Sequence, residues 1–181
     1  MKFDYKKVRG ALSEVQTTFR WVVRFLEDTN TDPDIKAKFD EDVEIRCQSL
    51  DLPQGSTEHI QVQLQGQTIN YVGKENRNGE ITLTIVGGAD AKDQEALYYW
   101  KSKYFSALEG NSVGTEKCKI KVEMDLLDAN NEVTRTYTLY GVLPGQIGAG
   151  GSLGQDSAAL QPTITLSYDN FTWKKKGGEE L

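Results

Sequence analysis

The chain is poor in the residues that most chemistry needs. Its 181 residues include one histidine, two cysteines, two methionines and four prolines. Nucleophilic triads and most metal sites draw on histidine, so His59, beside Glu58, would have to serve alone. An exposed histidine at a strand end is the better reading. Cys47 and Cys118 lie far apart, with no second pair and no neighbouring histidine, which excludes a zinc site. Reduced, buried thiols are the default, and a disulfide stays open. No apolar run approaches the roughly 18 residues of a membrane-crossing helix. Met1 to Lys7 carries charge with no apolar stretch behind it, so no secretory signal and no membrane partner are expected. Without that route the Asn170-Phe171-Thr172 acceptor pattern has no use.

What the chain does have is enough apolar material for a core. Hydrophobic residues at 38% and charged residues at 27% place it among globular rather than disordered sequences. The length suits a single domain over 1–181, with 1–16 as an arm or short helix and 174–181 as a charged tail. The net charge of −6 is uneven: residues 27–44 hold eight carboxylates against Lys36 and Lys38, and read as a solvated loop. The remainder is balanced, so no basic patch for nucleic acid stands out.

Two other patterns fail as sites. Gly148 to Gly154 lacks the Gly-Lys-Ser/Thr ending of a phosphate loop and leads toward a strand. Asp40, Glu41, Asp42 and Glu44 lack the spacing and central glycine of a calcium loop. No catalytic residue, metal or cofactor is expected, and no enzyme.

Strict alternation, the mark of half-buried strands, recurs along the sequence. Phe19, Trp21, Val23 and Phe25 share one face. Val43, Ile45 and Cys47 alternate with Glu44 and Arg46. Ile60, Val62 and Leu64 alternate with Gln61, Gln63 and Gln65. Thr68–Val72 and Ile81–Val86 read as partners joined by a loop ending in Asn78-Gly79. Cys118, Ile120, Val122, Met124 and Leu126 oppose Lys119, Lys121, Glu123 and Asp125, and a turn at Asp128–Asn131 leads into Val133–Tyr140. Pro144 and six glycines between 141 and 154 mark an irregular connection. Thr163–Trp173 reads as one strand with a bulge around Asp169-Asn170. One segment has a helical period: 91–109 carries Leu97, Trp100, Tyr104 and Leu108 on one stripe, with Asp90 as N-cap and Gly110 as C-cap. That stripe reads as core packing against a sheet. The fold class is mainly β, an antiparallel barrel or sandwich with one flanking helix.

The order of these pieces resembles the tail-tube family of contractile-tailed phages. It comprises the aromatic strand Phe19–Phe25, then Cys47-Gln48-Ser49-Leu50-Asp51-Leu52-Pro53, the polar hairpin region 60–86 and the aromatic helix. Tyr137-Thr138-Leu139-Tyr140-Gly141-Val142-Leu143-Pro144 and the final Tyr168-Asp169 strand follow. The resemblance spans roughly residues 17–173. It implies a subunit that forms hexameric rings stacked into a tube. A sheath protein lies outside, tape-measure protein and passing DNA inside, and baseplate and neck proteins at the ends. It further implies assembly in the host cytoplasm and residence in the virion tail. The long 145–154 connection and the 174–181 extension depart from the pattern. The tube of a type VI secretion or other contractile injection system shares these features, and a small-molecule-binding β-barrel is an alternative of another class. For the conduit wall, the amide row Gln61, Gln63, Gln65 is the first candidate, since it stays hydrated without gripping phosphate. The mixed row Lys119, Lys121, Glu123, Asp125 is the second.

Overall fold

The computed structural model describes residues 16, 18–105, 114–151 and 159–178. Among them are nine strands and three α-helices. In chain order these are β1 (Trp21–Glu27), α1 (Pro33–Lys38), α2 (Glu41–Ile45), β2 (Cys47–Leu50), β3 (Ser56–Leu64), β4 (Gln67–Asn76) and β5 (Gly79–Ile85). Then come α3 (Lys92–Tyr104), β6 (Ile120–Leu127), β7 (Val133–Gly148), β8 (Thr163–Tyr168) and β9 (Asn170–Lys175). The mainly β, antiparallel class with a flanking helix is as expected.

Strand β7 organises the whole. Its first half pairs with β6 and β9, and its second half pairs with β8. The order along the sheet is β1-β6-β7-β8-β5-β2, so β7 belongs to two strand sets, β1-β6-β7-β9 and β7-β8-β5-β2. The change of partner falls just past Gly141, at φ +65, a region that favours glycine. A Cβ there would also come within 2.2 Å of the Asp169 carboxylate. The irregular connection expected at 141–154 is thus strand through Gly148, because alternate residues there still find partners: Val142 and Pro144 are buried. Likewise the single strand expected over Thr163–Trp173 is two. β8 ends at Tyr168 and β9 begins at Asn170, and both pair along one edge of β7 in the same register, Leu143 opposite Ser167 and Tyr140 opposite Asn170, with β6 on the other edge. The phase slip expected around Asp169-Asn170 is a break in the strand at Asp169, opposite the bend at Gly141.

The inward faces of both strand sets meet in one core. Val23 and Phe25 of β1, Ile120, Val122 and Met124 of β6, Ile81, Leu83 and Ile85 of β5, and Ile164 and Leu166 of β8 are all buried in it. Phe19, placed on the core face by alternation, lies before β1 and is 72% exposed.

The acidic run is not a loop. Asp32 accepts from the Asp34 amide with Pro33 at the first helical position, and Asp40 accepts from the Val43 amide at 3.0 Å. These are N-caps, where a carboxylate meets free N–H groups and the positive helix end. Ile35, Phe39 and Val43, four apart, turn inward and are fully buried, with Phe39 stacked on Phe25 at 4.4 Å between ring centroids. Residues 43–45 are therefore helix rather than strand. Val43 is in the core and Ile45 outside it, which alternation had put on one face.

Helix α3 covers the expected segment but starts differently. Its N-cap is Ala91 at φ +54, without a side-chain cap, because the Asp90 carboxylate instead binds both Nη atoms of Arg46, at 2.7 and 2.8 Å. Of the expected stripe, Leu97 and Trp100 are fully buried and Tyr104 is half-buried. Leu108, the Gly110 cap and the arm at 1–15 lie outside the described residues. Trp100 donates from its indole nitrogen to the Cys118 carbonyl at 2.7 Å and meets Phe39 edge-on. The lysines of α3 neutralise the acidic caps. Lys92 pairs with Asp42 at 2.8 Å and Asp40 at 3.4 Å, and Lys103 with Asp32 at 3.0 Å.

Candidate assembly surfaces

Three surfaces are left over once the core is built. The first is a two-stranded ribbon, β3–β4, that among the described residues pairs only with itself. Its turn is Gln65-Gly66, both with positive φ (49° and 79°), the combination a tight two-residue hairpin requires. Gln65 is therefore in the turn rather than on the strand, and the expected row of three glutamines is a pair, Gln61 and Gln63. β4 takes β3 as its partner instead of β5, since Gln65-Gly66 makes the tighter reversal and Asn78-Gly79 only leads back to the main sheet.

The register sorts the ribbon into two faces. Gln61 lies opposite Asn70 and Gln63 opposite Thr68, so one face is amide and hydroxyl, with His59 opposite Val72 at its base end. The other face sets Ile60 against Tyr71 and Val62 against Ile69, followed by Leu64. This second face is apolar and yet open. Ile60, Leu64 and Tyr71 are 57%, 54% and 52% exposed. Sequence reasoning identified the alternation but not this exposure. The signal was present: apolar positions on both strands of a ribbon with Gln65-Gly66 at its tip and no third strand to cover them.

The second surface is the outer face of β5 and β8. Ile81, Leu83, Ile85, Ile164 and Leu166 point to the core, so Thr82, Thr84, Thr163, Thr165 and Ser167 face away. The pairs Thr82–Thr165 and Thr84–Thr163 sit directly opposite each other, and Glu80, the one ionised member of these pairs, accepts from Ser167 at 3.2 Å. Sequence reasoning passed over this row.

The third is the mixed face of β6. Its charges are spent on each other: Arg24 holds Asp125 at 2.5 Å and Glu123 at 3.3 Å, Lys121 holds Glu123 at 2.9 Å, and Thr136 donates to Asp125 at 2.5 Å. Lys119 pairs with Asp169 at 2.9 Å, which raises its pKa. Such a lattice is a structural clamp across β1, β6 and β7, and Asp125 within it is buried.

The cysteines are both free thiols. Burial pushes Cys47 up to about 12 and also raises Cys118, so neither is a ready nucleophile.

Two sheets sharing a strand, one flanking helix and a projecting ribbon define a fold found in contractile injection machines. The chain superposes with a TM-score of 0.65, at 17% identity, on a chain from the anti-feeding prophage cap (tube terminating cap), covering 91% of this chain and 93% of that one. It superposes at 0.63, with 13% identity, on a chain from the sheath–tube complex of the extracellular contractile injection system PVC in its extended state, covering 96% and 99%. In sequence it is 29% identical over 171 residues to the tail tube protein of Serratia phage KSP90, covering 91% of this chain and 88% of that protein. No family model matches the sequence. The resemblance to the contractile-tail tube protein family is borne out in sequence by the phage protein, and the expected fold by the injection-system chains.

Proposed function

We propose that the chain is a structural, non-enzymatic subunit of a phage tail tube. Copies close into hexameric rings, and rings stack into the conduit that the genome traverses. The sheath lies outside, tape-measure protein and DNA inside, and baseplate and neck proteins at the ends. The observation that carries this reading is the β3–β4 ribbon, whose open apolar face suits a chain that completes itself on a neighbour. Similarity along nearly the whole chain to a phage tail tube protein supports a phage tail over an injection-system tube, which remains the second reading on the strength of the shared fold. A carrier barrel would need free space between its sheets, and here that space is packed with Trp100, Phe25, Phe39 and aliphatic side chains.

For the conduit wall, Gln61 and Gln63 remain the lead, now joined by the hydroxyl row of β5 and β8. The ribbon's two ends lead to β2 and β5, and β5 carries Thr82 and Thr84 of the hydroxyl face. Uncharged, hydrated groups neither hold nor repel a phosphate chain strongly.

The test is electron microscopy of the purified protein, alone and with a preformed tail tip. Rings or tubes are expected, and a compact monomer in both settings overturns the reading. For the wall, Gln61→Lys and Gln63→Lys together, in tails first scored as fully assembled, should slow or retain DNA in a salt-dependent way. Normal delivery at low ionic strength removes this row from the lumen.

A further inference from the structure

The core-facing side of the β1-β6-β7-β9 set ends in a row that is half apolar and half cationic. Pairing sets Trp21 against Leu126, Leu126 against Arg135, and Arg135 against Lys175, so these four side chains stand on one face, one per strand. Trp21 and Leu126, with Leu50, Leu52 and Met124, line an apolar slot of about 180 Å³. It lies between β1 and β2, the two ends of the strand order, so no strand of the sheet closes it. An apolar cavity of about 150 Å³ accepts a benzene-sized ring, so the slot holds one leucine or isoleucine side chain.

The cationic half departs from the rest of the surface. Arg24, Lys92, Lys103, Lys119 and Lys121 each hold a carboxylate, and Lys176, next to Lys175, holds Glu132. Arg135 and Lys175 hold none among the described residues, although they are exposed and directly opposite each other. Like charges so placed repel and weaken the strand pair, and an anion between them removes that penalty. With strands about 4.8 Å apart, Arg135 is one strand from the slot wall at Leu126 and Lys175 is two, about 10 Å away. An extended chain advances about 3.3 Å per residue, so carboxylates two and three residues from a leucine anchored in the slot fall over these two cations.

We propose that this end of the core is a docking site for an acidic linear segment of another protein, with an aliphatic side chain in the slot and two carboxylates on Arg135 and Lys175. The guanidinium takes one carboxylate side-on through two N–H groups, and the ammonium takes the second as a point charge. A nucleic acid strand fits less well, since it needs a longer basic track: Lys174 is on the other face of β9, opposite Thr136, and Lys176 is already paired. The site uses no residue of the β3–β4 ribbon and does not depend on the tube reading.

Fluorescence polarisation on the full chain at low salt tests the site. The labelled probe is the peptide Gly-Leu-Ser-Glu-Glu-Gly, and the controls are Gly-Leu-Ser-Lys-Lys-Gly and Gly-Ser-Ser-Glu-Glu-Gly. The probe should bind at least about tenfold more tightly than either control, and less tightly as salt rises. Arg135→Glu with Lys175→Glu should weaken the probe about tenfold or more and reverse the preference toward the lysine peptide, which damage to the fold does not do. Should that double variant not fold, Arg135→Gln and Lys175→Gln taken singly should each weaken the probe about threefold or more. No binding, equal binding of the three peptides, or no reversal in a folded double variant overturns the site. A thymidine oligonucleotide that binds more tightly than the probe overturns it in favour of nucleic acid. If a chain ending at Gly178 binds the probe about tenfold more tightly than the full chain, Glu179, Glu180 and Leu181 are the occupant and the assignment to another protein is overturned.

Discussion

Replacing Trp100 separates two contributions that the structure puts in one side chain. The indole is fully buried, packs edge-on against Phe39, and donates to the Cys118 carbonyl at 2.7 Å. Trp100→Ala removes the ring and the donor together. The ring alone corresponds to about 3–5 kcal/mol for a large aromatic in a core. The carbonyl left without a partner adds about 1 kcal/mol or more. Trp100→Phe keeps most of the volume and the contact with Phe39 while losing the donor, so it should cost about 1–3 kcal/mol. For a chain of this size each kcal/mol corresponds to about 2–4 °C in melting temperature, which puts Trp100→Ala at least about 8 °C below wild type. Calorimetry with matched urea titrations on the three proteins gives the comparison. The reasoning is refuted if Trp100→Ala melts within a degree or two of wild type, or if the phenylalanine variant is as damaged as the alanine one. The first outcome would mean the helix does not depend on its core contact, the second that the hydrogen bond outweighs the packing.

Two further outcomes follow from the electrostatics and the backbone. Asp32, Asp40 and Asp90 are each more acidic than an ordinary aspartate near 3.8, through the Lys103 ammonium, the Val43 amide and the Arg46 guanidinium respectively. A carboxyl whose folded pKa is depressed contributes stability above its unfolded value and loses it as pH falls through the folded one. Melting temperature should therefore decline from about pH 4 downward, toward about 2 for Asp90, and Asp90→Asn should flatten that decline; parallel curves for the two proteins would mean the Arg46 pair contributes nothing. Gly141→Ala combines positive φ with a collision on Asp169, so urea unfolding should show a loss of more than about 1 kcal/mol, and unchanged stability would show that β7 does not need its bend there.

Local patterns were legible where one physical force acted alone. The alternation of Ile120 to Leu126 and the helical spacing of Leu97 and Trp100 each follow from burial on one side, and both stand as read. Patterns misled where two forces overlapped. Glu44 and Arg46 alternate with Val43 and Ile45, yet Asp40 caps the segment and Ile35, Phe39 and Val43 repeat every four residues, so capping and the longer repeat prevail over the short alternation. Asp90 is a good cap residue by type, but Arg46, distant in sequence, takes its carboxylate. The Gln61 and Gln63 row was visible as polarity, while its place on a free-standing ribbon was not, because strand pairing is a long-range choice. The slot between β1 and β2 had no local trace at all: Trp21, Leu50 and Met124 are brought together only by the order of strands in the sheet.

Because β7 runs unbroken for sixteen residues through both strand sets, the two sheets share covalent backbone as well as side-chain packing. Layers held by packing alone can slip past each other under shear, at a cost set by weak, non-directional contacts. Here a force applied to β6 passes along the β7 backbone to β8 before any core contact has to give, and β9 is joined to β8 directly through Asp169. The bend at Gly141 is where that path turns a corner, and the Asp169 amide bonded to the Tyr140 carbonyl at 3.0 Å braces it from outside. The subunit therefore deforms as one piece, with its weakest mechanical element the ribbon, whose strands among the described residues pair only with each other and join the rest at Gly55 and Gly79.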